Sequence, residues 1–426
     1  MRKVRFLTSI VIMIMMASCT DKDEPVLPGD DDIETPDDNP AEQETIDLSA
    51  EEMANCYIVT SPGKYRFKAD NQFNLGEGLP VPPQINPVSA SLVWQTIPGS
   101  ITSVALEKTE ATPYVEFEVH EASGNALIAV VDADSNILWS WHIWMPAEEV
   151  VSVPTDTGYE VMNMNLGAMN NRPGDAASYG LLYQWGRKDP FPAAATLTGD
   201  ATTVGADLFD IDNKRVKITN SNWFSSECNT LEYAITNPTV CLSNYSYFTT
   251  SRDWLVVSED NLWGNPTGDY RDPENNTFPN KGQKSCYDPS PAGWRVAPPD
   301  VFRNFTTSGG YAWSLDDFAV ADVNGDGTVD LDDYRYGWHF LLSPQEPMFF
   351  PAAARYDGSY AMLMGSMSGL WGNYWSNAPY SSINGGAYCC LSFSIKDQNG
   401  NDMITVSPSA GSSRADAFSI RCIRDN

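Results

Sequence analysis

Between residues 322 and 333, oxygen-bearing side chains recur at alternate positions around a central glycine. A twelve-residue loop with oxygen ligands at positions 1, 3, 5, 7, 9 and 12 can surround a calcium ion. Gly327 stands at position 6, where the chain of such a loop must turn sharply. The sequence therefore predicts a calcium site, the alternative being an acidic surface turn that binds nothing. The predicted ligands are Asp322, Asn324, Asp326, the carbonyl of Thr328, Asp330 and Asp333.

Position 12 of this loop carries Asp333, whereas a longer glutamate usually binds there with both oxygens. This variant resembles the loops of cellulosomal dockerins. Dockerins carry two such loops and this chain has one, so a dockerin role is not expected. We expect the calcium to be structural.

Aromatic residues flank the acidic loop, so calcium would order an aromatic-rich insertion near residues 311–342. Flat aromatic rings stack on the C–H face of a pyranose, which makes the insertion a candidate recognition surface. The alternative for each ring is burial in the core. The candidate ligand-binding residues are Trp313, Tyr334, Tyr336, Trp338, Tyr374 and Trp375.

Histidine and cysteine patterns typical of catalytic or zinc sites are absent from the sequence. The three histidines are isolated, and neither a His-Glu-x-x-His motif nor a zinc-type cysteine spacing occurs. No catalytic residue and no cofactor other than calcium is predicted. Cys228 and Cys241, with twelve residues between them, are candidates for a local disulfide.

The N-terminus has the pattern of a bacterial lipoprotein signal peptide. Three basic residues precede the apolar run Phe6–Ala17, which is shorter than the roughly 20 residues of a membrane-spanning helix. Cleavage after residue 18 would leave Cys19 to carry the lipid. The segment Thr20–Glu24, with three acidic residues, resembles the acidic export signal of Bacteroidota surface lipoproteins. We expect a lipid-anchored outer-membrane protein exposed at the cell surface; the alternative is a plain secretory signal with a chance cysteine.

The segment that follows the signal peptide is acidic and of low complexity. Residues 19–45 are low-complexity Asp, Glu, Pro and Thr, which cannot bury enough apolar surface to fold and so predict a disordered tether. The chain has a net charge of -30, and residues 20–52 contain fourteen acidic side chains and one lysine. This balance excludes nucleic acid as a partner, because phosphate binding needs a basic face.

Residues 46–147 predict a small β-sandwich of short strands. Tyr65 and Phe67 alternate with basic residues, the period of a half-buried strand. Residues 132–136 have hairpin-turn composition. The tryptophans 139, 141 and 144 are expected in the core. The predicted strands are Cys56–Val59, 64–68, Ser91–Gln95, Tyr114–Val119, Ala126–Val131 and Ile137–Trp144.

Residues 148–426 predict short strands, many turns, and short helices at Pro299–Phe305 and Asp332–Leu342. Several segments resemble the Fibrobacter succinogenes major paralogous domain of Bacteroidota surface proteins, and Ala54–Val59 and Ile137–Trp144 resemble the β-domain that often precedes it. The segments that carry the resemblance are Met164–Ala168, Gly180–Phe191, Asp288–Val296, Phe350–Arg355, Gly372–Ser376 and Phe418–Asp425.

The resemblance implies a β-rich α+β chain: a β-sandwich, then a C-type lectin-like domain with long variable loops. That fold is in the same broad group as the sulfatase-modifying enzymes, but a fold by itself supplies no activity. The family commonly has a cysteine where this chain has Ser290, and the resemblance implies its pairing with Cys422. Here Cys286 would take over that bridge. Alternatively, Cys422 pairs with Cys389 or Cys390.

Three functions follow as hypotheses. The first is a non-catalytic binding module or adhesin for a glycan or host glycoprotein. The second is a pilus or cell-envelope subunit that binds other proteins. The third, an enzyme related to the sulfatase-modifying oxidases, is least favoured, because those enzymes use a reactive cysteine pair that the adjacent Cys389 and Cys390 do not match in spacing.

Overall fold

Strands dominate the architecture, which confirms the predicted β-rich fold. The computed structural model describes residues 44–109, 111–221, 223–245, 252–267, 279–343, 346–380, 386–397 and 399–426, with the backbone alone at 386–390. The predicted signal peptide, the lipidated Cys19 and the tether up to residue 43 lie outside the described residues. Residues Gln43–Asn426 form one compact unit.

Two sheets are built largely from the first hundred described residues. The strands of the four-stranded sheet are, in order, Ile46–Asp47, Gly63–Lys68, Tyr114–Val119 and Ile101–Glu107. The strands of the six-stranded sheet are, in order, Arg215–Val216, Leu208–Phe209, Ser89–Gln95, Gly124–Val131, Ile137–Met145 and Cys56–Ile58. Because Phe209 pairs with Gln95, a strand from beyond residue 148 belongs to the same sheet as the predicted first domain.

One hydrophobic core joins these two sheets. Tyr65 and Phe67 are buried while Lys64 is exposed, as the alternating pattern predicts. The ring of Phe67 lies 5.1 Å from that of Trp141 in the other sheet. Trp141 and its neighbour Trp139 are buried in this core, in agreement with the sequence.

The opposite face of the six-stranded sheet is also covered. Trp144 from this face packs in a second cluster with residues of the later chain, including Trp185 and Phe418. Gly124–Val131 is consequently buried along its whole length. The six-stranded sheet is the layer on which both parts of the chain pack.

The later chain adds small sheets. One has the strands Trp294–Val296, Cys422–Arg424, Glu160–Met162 and Ser152–Pro154. Another has Phe191–Pro192, Leu181–Gln184, Ala417–Phe418, Tyr356–Asp357 and Met362–Leu363. A third has Trp371–Tyr380, Gly386–Lys396, Asp402–Ser407 and Ala410–Ser413. The strand pairs are Thr219–Asn220 with Val240–Cys241, and Gly337–Ser343 with Glu346–Pro351.

Within the described ranges, helices are few and short. The α-helix is Leu231–Thr236, capped by the Thr230 hydroxyl. The 3₁₀ helices are Ala176–Ser178, Pro299–Phe305, Leu315–Asp317, Leu331–Asp333 and Gly365–Met367. None of the helices in the described ranges is both long and apolar enough to cross a membrane.

Of the two predicted helices, one is confirmed and one is wrong. Pro299–Phe305 is a 3₁₀ helix with the predicted bounds. At Asp332–Leu342, however, only the first turn is helical, and Gly337–Ser343 is a strand of a hairpin. Trp338, Phe340 and Leu342 are buried at alternate positions, so the apolar period in this segment is two, that of a strand.

Candidate functional site

The loop from Asp322 to Asp333 is a tight turn whose acidic side chains accept hydrogen bonds from its own backbone. The two carboxylate oxygens of Asp322 accept from the N–H groups of Gly325 and Gly327 at 2.7 and 2.8 Å. These glycines have φ angles of 76° and 92°, which other residues adopt only with strain. The sharp turn predicted at Gly327 is present.

Asp333 joins the two ends of this loop through hydrogen bonds. Its Oδ1 accepts from the N–H groups of Val323 and Asn324 at 2.8 and 3.1 Å, and its Oδ2 accepts from the N–H of Asp330 at 3.1 Å. Asp333 is buried, whereas the middle of the loop is exposed. The residue at position 12 therefore fixes the loop geometry before any ion enters.

The donor set of this loop is chemically suited to a hard cation. All six predicted ligands offer oxygen, and a carboxylate has about four acceptor positions, so backbone hydrogen bonds leave some for an ion. The side chain and N–H of Thr328 both donate to Asp326, which lowers the pKa of Asp326 and keeps it charged. Within the part of the chain that the structure describes, no three His, Cys, Asp or Glu side chains already stand in a metal-binding arrangement. Calcium binding would require the side chains to turn inward, and it stays a prediction.

The acidic loop continues directly into the hydrophobic core. Tyr334, the residue after Asp333, donates its hydroxyl to the carbonyl of Gly369 at 3.0 Å. Its ring lies 5.0 Å from the ring of Trp338 in an edge-to-face arrangement. An ion that ordered the loop would therefore also hold the start of the following hairpin.

Three of the six candidate ligand-binding aromatics lie in the core. Trp338, Tyr374 and Trp375 are fully buried. The Tyr374 hydroxyl donates to the Pro351 carbonyl at 2.7 Å, and the Trp375 ring stacks 4.2 Å from that of Phe418. Because a sugar cannot stack on a ring without an exposed face, these three do not belong to a recognition surface.

The other candidates reach solvent to different extents. Trp313 is 76% exposed, Tyr336 is exposed and Tyr334 is half-buried. Trp313 forms an edge-to-face pair with Tyr311, whose ring is 4.7 Å away and which is itself 49% exposed. Backbone hydrogen bonds between Ala312 and Val406 hold the segment that carries this pair. The insertion therefore presents two adjacent exposed rings on an ordered segment.

The segments that carry the family resemblance meet in space although they are far apart in sequence. Leu166 donates its N–H to the Ile420 carbonyl and accepts at its own carbonyl from Leu181, both at 3.0 Å. Arg295 pairs with Ile423 in a neighbouring sheet. The motif residues thus build one scaffold.

Arg421, in the last of these segments, is completely buried and bonded to backbone and amide oxygens. It donates to the Asn165 side chain and to the Phe349 carbonyl at 3.0 and 2.9 Å. Burial lowers the pKa of Arg421 to about 10, so the guanidinium remains charged at neutral pH. Its role is to hold the scaffold together.

Lys188 and Asp189, also in a motif segment, connect the later chain to the six-stranded sheet. The Lys188 ammonium donates to Asp189 Oδ1 at 2.7 Å and to the Ser140 hydroxyl at 2.6 Å, and all three residues are buried. Desolvation lowers the pKa of Lys188, while the Asp189 carboxylate opposes that shift. These buried contacts join the later chain to the six-stranded sheet.

The described cysteines, Cys56, Cys228, Cys241, Cys286 and Cys422, are free thiols. The structure therefore has neither the Cys228–Cys241 nor the Cys286–Cys422 bridge. The Cys286 thiol faces the Pro80 carbonyl at 3.2 Å, and the Cys422 thiol faces the Ser290 hydroxyl at 3.2 Å. The side chains of Cys389 and Cys390 lie outside the described residues.

Cys56, His142 and Asn125 form a hydrogen-bonded chain of residue types found in thiol hydrolases. Cys56 Sγ lies 3.3 Å from His142 Nδ1, and His142 Nε2 lies 2.9 Å from Asn125 Oδ1. All three are buried. Burial raises the pKa of Cys56 and lowers the pKa of His142 to about 3, so thiol and imidazole are both neutral. A neutral thiol without solvent access is a poor nucleophile.

Sequence reasoning did not single out three exposed aromatic residues: Trp223, Tyr245 and Tyr360. They come from distant parts of the chain, and the structure places their segments side by side. Their sequence neighbourhoods share no motif or spacing, so no local pattern indicates a shared surface.

The chain matches no protein-family model, no curated protein and no solved structure. The resemblance to the Fibrobacter succinogenes major paralogous domain therefore stays a prediction that rests on the motifs quoted above.

Proposed function

We propose that the chain is a surface-anchored, non-catalytic binding protein for a glycan or a host glycoprotein. The observation that carries the proposal is the exposed ring pair of Tyr311 and Trp313. Large apolar side chains in water are often the contact points of ligands and partners. On this ordered segment the 76% exposed indole of Trp313 offers a flat apolar face of the kind that pyranose rings stack on, and the Tyr311 ring packs edge-to-face against it.

The fold assigned with this proposal is a β-sandwich at 46–147 followed by a C-type lectin-like domain of the Fibrobacter succinogenes major paralogous type. The two joined sheets with one core support the first assignment. The convergence of the motif segments, and the long loops between short strands, support the second.

A calcium ion in the loop Asp322–Asp333 belongs to the same proposal. The six oxygen ligands named above would hold it, and the ion would supply cross-links between loop positions that are otherwise joined by hydrogen bonds. Asp333 would transmit that order to Tyr334 and its contact with Trp338. Anchoring through a lipid on Cys19, with the acidic segment as a spacer, would place the folded part outside the outer membrane.

The proposal is tested on an array of glycans and mucins probed with the full chain purified in detergent, in calcium and again in EDTA. We expect at least one glycan or mucin to bind in calcium and to lose that binding in EDTA, in Asp326→Ala and in Trp313→Ala. Asp132→Ala is the matched control, because Asp132 also accepts backbone and side-chain hydrogen bonds in an exposed turn away from the insertion. Absence of binding to every glycan and mucin would contradict the glycan proposal and favour a protein partner in the envelope.

A further inference from the structure

Three segments distant in sequence form one surface on the side of the later chain. The Asn220 amide donates to the Tyr360 carbonyl at 2.9 Å, and the Ser243 hydroxyl donates to the Ser359 carbonyl at 2.8 Å. The Phe224 N–H donates to the carbonyl of Tyr245 at 2.9 Å. Side-chain and backbone hydrogen bonds therefore hold the three segments in a fixed relation.

Each of these segments carries an exposed aromatic residue. Trp223 is 53% exposed, Tyr245 is 37% exposed and Tyr360 is 66% exposed. The rings of Trp223 and Tyr245 lie 5.8 Å apart with their planes inclined by 42°. Aromatic rings bury a large apolar area when a ligand covers them, so three exposed rings on hydrogen-bonded segments provide substantial binding energy.

A cleft of about 490 Å³ is lined by parts of the segments that carry Asn220 and Tyr360. This volume lies within the roughly 300–1,000 Å³ of typical small-ligand sites. Asn220 lines the cleft and also bonds the Tyr360 carbonyl, while Ala361, the neighbour of Tyr360, lines it as well. Its walls combine apolar side chains such as Met362 with the polar residues Thr219, Asn220 and Lys217. Apolar walls with a few polar groups are typical of sites that bind small organic ligands.

We propose that this cleft and the exposed rings of Trp223, Tyr245 and Tyr360 together form a second carbohydrate site that binds a short neutral oligosaccharide. A sugar offers apolar C–H faces to the rings and hydroxyls to the amide and hydroxyl groups of the wall. Of the two charged wall residues, Asp207 is paired with Arg215 at 2.8 Å, and the Lys217 ammonium is a donor that sugar hydroxyls accept from. The chain's net charge of -30 disfavours sialylated or sulfated glycans by long-range repulsion.

This site extends the proposed function without depending on its calcium loop. None of the residues that line the cleft, and none of the three exposed aromatic residues, comes from the insertion at 311–342. Binding at the cleft is therefore independent of calcium, and that difference separates the two sites experimentally.

The test uses the full chain in detergent on immobilised neutral oligosaccharides of glucose, galactose and mannose, with sialylated and sulfated glycans alongside, all in EDTA. We expect binding to at least one neutral oligosaccharide. Trp223→Ala and Tyr360→Ala should each weaken it by about tenfold or more, the size of effect seen when a central aromatic contact is removed. Trp223→Phe, which keeps a ring, should retain most of the binding.

Trp313→Ala is the control, because it removes an exposed tryptophan of the insertion and should leave binding in EDTA unchanged. Neutral-glycan binding that survives Trp223→Ala, or that requires calcium and Trp313, would overturn the second site while leaving the proposed function standing. Absence of neutral-glycan binding in EDTA, or preference for acidic glycans, would also overturn it. Circular dichroism of each variant verifies that the fold is intact.

Discussion

Ser290 Oγ and Cys422 Sγ lie 3.2 Å apart in the core, although 132 residues separate them in the chain. The pairing of Trp294–Val296 with Cys422–Arg424 holds the two side chains face to face. Ser290 stands where the resembled family commonly has a cysteine. The serine hydroxyl and the cysteine thiol thus form a hydrogen bond at the place where the resemblance implies a disulfide.

Ser290→Cys should form a disulfide with Cys422 under oxidising conditions. Closing a loop of this length restricts the unfolded chain, so the free energy of unfolding should rise by about 2–4 kcal/mol. Chemical denaturation with and without reductant measures the gain, and thiol titration in denaturant measures the bond. The control is Ser290→Ala, which removes the hydrogen bond and should cost about 0.5–1.5 kcal/mol irrespective of reductant. A reductant-insensitive stability for Ser290→Cys would contradict the prediction.

The buried His142 should make the fold sensitive to mild acid. Burial lowers its pKa in the folded protein from 6.5 to about 3. Between these values the unfolded chain binds more protons than the folded one, so stability falls as the pH falls. At pH 7 His142 is mostly neutral in both states, and by pH 5 its contribution to the loss should be about 2 kcal/mol.

This prediction is measured as a difference between wild type and His142→Gln, since other buried groups titrate in the same range. Burial raises the pKa of Asp288 and Asp416, which acts in the opposite direction. Urea denaturation at pH 7, 6 and 5 should show a steeper loss for the wild type than for His142→Gln. Parallel losses in the two proteins would show that His142 does not control acid stability.

Breaking the buried pair of Lys188 and Asp189 should be costly. Asp189→Ala leaves the Lys188 ammonium buried without its carboxylate, which typically costs about 3–5 kcal/mol. The matched control is Asp212→Ala, which breaks the exposed Lys214–Asp212 pair and should hardly change the stability, because solvent screens an exposed pair. Denaturant midpoints of the two variants measure the difference in stability loss. Similar small losses for both would show that Asp189 does not stabilise the contact between the later chain and the six-stranded sheet.

Much of the strand pattern could be predicted from the sequence because alternation is a local signal. Tyr65 and Phe67 alternate with basic residues in a strand that is half exposed. The strand Ile101–Glu107 is not predicted from the sequence. It lies at the edge of its sheet, and most of its side chains are half or fully exposed, so its apolar residues follow no clear period. The helix predicted at Asp332–Leu342 failed because a hairpin partner, Glu346–Pro351, stabilises the strand.

The candidate site was less predictable, since exposure depends on tertiary packing. Trp313 and Trp338 lie on either side of the acidic loop, and the sequence pattern does not show which of the two is exposed. The structure exposes the first and buries the second against Tyr334 and Phe318. The proposed second carbohydrate site depends on hydrogen bonds between segments more than a hundred residues apart, such as Asn220 with Tyr360, and no local pattern indicates these.

Calcium should raise the thermal stability of the chain through the loop Asp322–Asp333. Binding to the folded state alone raises the unfolding free energy by about 2.7 kcal/mol when calcium is at a hundredfold its dissociation constant. Asp326→Ala removes the ligand at position 5 and should abolish the calcium-dependent rise in Tm. Asp397→Ala is the matched control, because Asp397 accepts similar hydrogen bonds in an exposed turn elsewhere. Equal calcium shifts in the two variants would show that the ion binds elsewhere, and no shift in the wild type would show that the acidic loop is only a hydrogen-bonded turn.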